Sequence, residues 1–413
     1  MKRLIGFEWN KLLLHRSVLV LLLAFTALNC WKVWDTWRQA AWFADSPGWG
    51  NAYWSLYEDY AGPISPEKAR DLMALYQPLA DSVKDQTFNT AHNADSLTGI
   101  NAFSDYLMLR RYYVSPFERF TGYASHAAGI TGRAKENVAL FSGLQNSYEV
   151  RKNARIYLLF SGRSIEDFAY TEMYARLTHY GFSLYLAALL SVYGLTLLFA
   201  REKESSMDLL LLTAPNGGRR TLTAKLAVGG LFVAGTSLWF SLMDFLCFAA
   251  AYGTWEGAFL PVYALLDFSD SPLSLSLWQY TLLSALTRVA GFWLLGALYL
   301  LCSCRARGVL FPFLTGTGAV YILLWAADAF AGSTHIWRKA LNPAGLLHNQ
   351  PLYGRTEFVN ILGRPFLSYE AALLAAFAAL AACLLLLPRV TRRNKTYTGK
   401  SGKKAFARSK KEG

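Results

Sequence analysis

Only 17% of the 413 residues are charged, against about a quarter in an average soluble domain. That shortage excludes disorder over the chain as a whole and argues against most soluble enzymes. Cysteine is scarce too. Cys30, Cys247, Cys302, Cys304 and Cys383 all lie in or at the ends of apolar segments, so no disulfide framework holds the polar region between the first two. The spacing Cys302-Ser-Cys304 is too short for a zinc pair, and these residues read as small apolar side chains in helices. The six histidines (His15, His92, His126, His179, His335, His348) are scattered, which predicts neither a metal site nor a catalytic cluster. H-E-x-x-H, an EF-hand loop and G-x-S-x-G are all missing. Thr398-Gly-Lys-Ser401 echoes the end of a phosphate-binding loop, but Asn394 stands where that loop needs its first glycine and no buried strand precedes it. No catalytic constellation is present, so the chain is expected not to be an enzyme and to carry no cofactor.

What is abundant is apolar sequence. Hydrophobic residues make up 54% of the chain and are pooled in long blocks rather than spread as globular cores require. A membrane helix needs about 20 mostly apolar residues. Six segments qualify: Ser17 to Val33 (17–33), Phe182 to Ala200 (span 179–200), Leu226 to Tyr252 (226–252), Leu277 to Cys302 (277–302), Gly308 to Ala331 (308–331) and Glu370 to Leu387 (370–387). The fold class is therefore mainly α, a polytopic membrane protein with six transmembrane helices. The first segment is not followed by an A-x-A-like cleavage site and is read as a retained helix.

The net charge of +13 is unevenly placed. From Lys32 to Arg176 there are 15 Lys/Arg and 16 Asp/Glu, whereas the last 25 residues hold ten basic residues and only Glu412 against them. A basic tail (388–413) after an apolar helix is read as an orientation signal and a contact for anionic lipids; it is expected to be disordered and not to bind nucleic acid. The N-terminus, the 201–225 loop, the Arg305/Arg307 turn and the tail together hold 21 Lys/Arg, and the opposite short loops (253–276 and 332–369) hold four. This bias predicts a multi-pass cell-membrane protein, of bacterial type, with both termini cytoplasmic and residues 34–178 as an extracellular domain.

That domain is expected to be mostly helical, with helix starts at Ser65-Pro66-Glu67 and at Ser164-Ile-Glu-Asp167. No strong breaker follows Asp167 before Ala200 apart from Gly181 and Gly194, so the second span is expected to project as a stalk. Residues 1–16 form an amphipathic interfacial helix, with Ile5, Trp9, Leu12 and Leu13 on one side and Phe7 out of pattern. In the 201–225 loop, Glu202 and Glu204 suit a helix start. Met207, Leu210 and Leu211 give one apolar face, and Pro215-Asn-Gly-Gly218 ends the helix. On physical grounds alone this helix suits equally a groove on a cytoplasmic partner and a place flat on lipid.

Asp244, Arg288 and Asp328 fall inside spans, where ionisable groups are costly and usually paired. At 1.5 Å per residue both aspartates lie about 27–30 Å from the cytoplasmic starts of their helices, and Arg288 lies about 16 Å below the outer start of its own. Arg288 is expected to pair with Asp244 or Asp328, as a structural bridge between helices.

The amphipathic start Lys2-Arg-Leu-Ile-Gly-Phe-Glu-Trp-Asn-Lys11, the six spans, the loop Glu204-Ser-Ser-Met-Asp-Leu-Leu-Leu-Leu-Thr-Ala-Pro215 with Arg219 and Lys225, and Leu341-Asn-Pro-Ala-Gly-Leu346 together resemble the membrane subunit of ABC-2-type ABC transporters. The large insert after the first span resembles a variant of that family, and Ser205-Ser206 departs from its more common Gly-Thr. The resemblance implies an exporting permease that works beside a second permease copy or a homologous one. Each would be docked on a separate ABC ATPase subunit that binds ATP and Mg. Glu204, Leu210, Leu211, Thr213 and Pro215, supported by Glu202 and Met207, would form the coupling interface. The rival reading is a non-transporting membrane sensor or immunity protein whose extracellular domain binds a ligand; a membrane enzyme acting on lipid ranks last.

Overall fold

The structure is a computed structural model and describes residues 2–13, 15–40, 48–204, 219–303, 310–330 and 341–409. It is a mainly α polytopic membrane protein: six of its helices are long and apolar enough to cross a bilayer. They are α2 (Arg16–Arg38), α9 (Phe182–Glu204), α10 (Arg219–Tyr252), α11 (Leu277–Ser303), α12 (Leu310–Phe330) and α14 (Ser368–Ser409). Two antiparallel ribbons, β1 (Gly62–Pro63) with β2 (Asp167–Phe168) and β3 (Phe358–Ile361) with β4 (Arg364–Leu367), are the sheet among the described residues.

The N-terminal helix α1 (Lys2–Leu13) packs against the bundle. Leu12 is buried, and Ile5 and Trp9 pack with it into a cluster with Leu195, Leu198 and Val228, so α1 is wedged against α9 and α10. Phe7, the residue out of pattern, points away and is 65% exposed. The chain turns into α2 at His15, in extended conformation, whose Nδ1 and the Ser17 hydroxyl share a hydrogen bond; Ser17 reaches Tyr193 of α9 at 2.7 Å.

Between α2 and α9 lies a helical domain: α3 (Gly48–Tyr60), α4 (Pro66–Lys84), α5 (Ala102–Leu109), α6 (Ser115–Gly143), α7 (Ser147–Phe160) and α8 (Glu172–His179). Side-chain caps start three of them, because an N-cap oxygen satisfies an amide left over by the first turn. Ser65 accepts from the Lys68 amide, Asn101 from Ser104 and Asn146 from Glu149. A π turn, Arg110–Val114, joins α5 to α6. The loop before α5 is pinned by buried Asp105, which accepts from the Leu97 and Thr98 amides and the Thr98 hydroxyl.

The helix start read at Ser164–Asp167 is not one. The Ile64 amide donates to the Glu166 carbonyl and Asp167–Phe168 pairs with Gly62–Pro63, so tertiary pairing overrides the local capping pattern. Nor does the second span form a stalk. The helix stops at His179, Tyr180 is extended, and α9 begins at Phe182. His348 fills the space at Gly181, where a Cβ would lie 2.6 Å from its ring. The helix that reaches up to the domain is instead α10, whose 34 residues span about 50 Å, well beyond a hydrocarbon core of about 30 Å. The basic tail, read as disordered, continues α14 through Pro388 to Ser409.

Two connections fold back onto the bundle. Residues 253–276 form three 3₁₀ turns (Glu256–Phe259, Val262–Ala264, Leu266–Phe268) beneath the domain. Residues 341–353 carry a 3₁₀ turn (Pro343–Leu346) and the short α13 (Gln350–Tyr353) down the side of α11, where Leu347 packs onto Gly291.

Candidate functional site

The site is built from spans that each contribute one polar residue in an otherwise apolar run. Asp244, on α10 and 1% exposed, accepts from Asn29 Nδ2 of α2 at 2.8 Å and from the Ser183 hydroxyl of α9 at 2.5 Å. Arg288 Nη1 of α11 stands 3.8 Å from its second oxygen. Asn29 is wholly buried, and its side-chain oxygen accepts from the Tyr180 hydroxyl at 2.8 Å. An apolar core would penalise any one of these groups left alone by several kcal/mol; here Asn29 and Ser183 hydrogen-bond the carboxylate and Arg288 supplies its counter-charge, while Arg288 Nε stays buried without a hydrogen bond among the described residues.

The structure thus brings Asp244 and Arg288 together and places Asp328 elsewhere. Asp328 projects from α12 toward His348 of the folded-back segment, with 3.2 Å between Oδ1 and Nδ1. That segment is tied to α11 by Asn349, which accepts from the Ser284 hydroxyl and donates to the Ser284 carbonyl, and by a Thr287–Tyr353 hydrogen bond of 2.7 Å. The echo at Leu341–Leu346 has a local role: Asn342 caps its 3₁₀ turn and its amide nitrogen reaches the Leu323 carbonyl.

Sequence reasoning missed Asn29, Ser183, Tyr180 and His348. Asn29 had a legible signal, being the lone amide in the first span; the hydroxyls had none, because their partners lie more than sixty residues away, and His348 had none because its pairing with Asp328 needs the segment between them to fold back. The cysteines, read as small apolar side chains in helices, include one close pair: Cys30 and Cys247, free and each adjacent to the polar site, touch at 3.1 Å between sulfurs. Among the described residues no three His, Cys, Asp or Glu side chains gather as a metal ion would require.

Of the coupling interface read from the sequence, Glu202 and Glu204 lie in the last turn of α9. Met207, Leu210, Leu211, Thr213 and Pro215 lie outside the described residues. The two roots of that loop are described, and they are fastened together. Lys225 of α10, 7% exposed, donates from Nζ to the Leu198 carbonyl of α9 at 3.2 Å and lies over the Phe199 ring. Comparison with protein-family models, characterised proteins and solved structures finds no match to this chain.

Proposed function

We propose that this chain is the permease subunit of an ATP-driven ABC-2-type exporter. In this reading the 202–215 loop lies in the cytoplasm with both termini and docks a separate ATP-hydrolysing subunit. ATP and Mg belong to that partner, and this chain contributes no catalysis of its own. The observation that carries the reading is the fastening of the loop's two roots. Lys225 bonded to the α9 backbone, with α1 wedged alongside through Leu12, makes a stiff base under the loop. Motion applied there would pass into α9 and α10 together rather than being absorbed between them. Farther along the same helices, Asp244 joins α2, α9, α10 and α11, so the lever arms stay bound to one another toward the domain. Much of α2 and α12 is left exposed, a surface for acyl chains and for a second permease copy.

The test is co-purification of the full-length chain with the ABC ATPase expressed beside it. Wild type is expected to retain an ATP-hydrolysing partner. Leu210→Asp with Leu211→Asp should weaken that association by about thirtyfold or more, the effect of about 2 kcal/mol at an interface hot spot, with the melting temperature of the permease unchanged. A folded double variant that still holds the ATPase, or a wild type that never does, would defeat the coupling role and favour the sensor reading.

A further inference from the structure

The domain holds a cavity of about 260 Å³ at its junction with the 253–276 loop, walled by Tyr53, Tyr112, Phe168, Tyr170 and Leu265. Arg119 of α6 also lines it. Among the described residues its Nε has no hydrogen-bond partner and is sealed from solvent, while the guanidinium lies over the Phe120 ring at 5.3 Å. Two acids, Glu172 and Asp267, share the lining with Arg111 and Arg119, and both are already engaged. Glu172 is paired with Arg176 at 2.9 Å and Asp267 with His179 at 2.7 Å. Burial accordingly pulls Arg119 below the ordinary arginine range, only partly opposed by the charge of Asp267. Tyr112 is delivered to the wall by the π turn, a distortion frequently found at functional sites.

We propose that this cavity is a binding site for a small organic carboxylate, whose anionic head pairs with Arg119 and whose apolar body lies between Tyr112, Phe168 and Tyr170. Arginine presents a planar fork that matches a carboxylate, and the aromatic walls suit a flat body. The volume falls below the range of about 300–1,000 Å³ for drug-sized ligands, which limits the occupant to a body of about one ring. Such a group could be a free acid or the last residue of a peptide. The site depends only on the domain and its loop, so it stands or falls apart from ATPase coupling.

The test is a ligand-observed NMR titration of the full-length chain in detergent, with empty micelles as blank. The probes are phenylacetate, its uncharged analogue phenylacetamide and the tripeptide Gly-Gly-Phe. Phenylacetate should saturate, and phenylacetamide should bind about tenfold or more weakly, the worth of a charge-assisted hydrogen bond. Arg119→Met should lose the preference for the acid and Arg119→Lys should keep part of it. Stronger binding of the tripeptide would assign the site to peptide ends, and weaker binding to free acids. Equal binding of acid and amide by wild type, which requires no variant to fold, would overturn the proposal. So would no saturable binding of phenylacetate at about 10 mM, or an Arg119→Met chain that melts normally yet keeps the preference.

Discussion

A carboxylate buried in a membrane bundle is stable only while its partners are present, and Asp244 has three of them on three other helices. Removing Arg288 alone leaves an anion with hydrogen bonds but no counter-charge, which costs about 3–5 kcal/mol where a buried pair is broken. Arg288→Met should therefore lower the melting temperature sharply in detergent. Adding Asp244→Asn to it should restore most of the loss, since the amide no longer needs a cation. Two singles and a double whose losses simply add would show that the two residues are not coupled. The domain offers a second prediction at this scale. Burial pushes the Tyr174 phenol up to about 12, and burial is also the leading cause that raises Tyr53, Tyr57, Tyr113 and Tyr170. The folded state holds these protons, whereas an unfolded chain releases them near pH 10. Their stabilising share is complete below about pH 10 and is lost as pH climbs through the raised values. The melting temperature should fall from about pH 10 upward, and phenolate absorbance from this group should arrive only with unfolding. Titration of all 23 tyrosines near pH 10 with the fold intact would contradict this.

Among the helices the decisive contacts are close approaches at glycine. A Cβ on Gly194 of α9 would stand 2.2 Å from the ring of Phe232 on α10, which is 5% exposed and has nowhere to turn. Gly194→Ala is expected to destabilise by about 1–3 kcal/mol, and Phe232→Leu in the same chain should recover part of it; thermal melts of the three variants decide. Gly257 is tighter in kind, because a Cβ there would meet the backbone carbonyl of Tyr170 at 2.3 Å, and a carbonyl cannot rotate aside as a side chain can. The spans themselves were legible, since a run of apolar residues needs no partner to be recognised, and so was the Ser65 cap, which is purely local. The failures share one physical cause. Gly194 reads in sequence as a possible helix breaker, yet it lies well inside α9 and serves packing. Ser164–Asp167 reads as a helix start, but a strand a hundred residues earlier claims its backbone. At the site, Asp244 and Arg288 were recognisable from the cost of charge in apolar surroundings. The choice between Asp244 and Asp328 depended on helix rotation and on His348, neither of which is written locally.

At the scale of the whole molecule, the polar domain is bound to the connections between spans as though to its own interior. Arg163, 7% exposed, donates to the Ser271 and Pro272 carbonyls and lies over the Phe160 and Tyr263 rings. Tyr123 stacks on Tyr263 at 4.5 Å, and Arg155 reaches Glu370 at the head of α14 at 2.5 Å. One apolar cluster runs without interruption from Tyr53, Tyr113 and Phe120 of the domain through Val262, Phe268 and Tyr280 to Tyr353. A unit that shares its core with its neighbours cannot be cut out without exposing that core to water, at about 25 cal/mol for each Å² uncovered. Residues 48–180 expressed alone are therefore expected to lack a cooperative melt and to bind a hydrophobic dye, although they contain every helix of the domain. A sharp thermal transition for that fragment, with dispersed amide resonances, would show the domain to be self-sufficient. The same shared core means that displacement of α10 or α11 would be transmitted to the junction of the domain with the 253–276 loop, where Leu265 and Asp267 line the cavity beside Arg119.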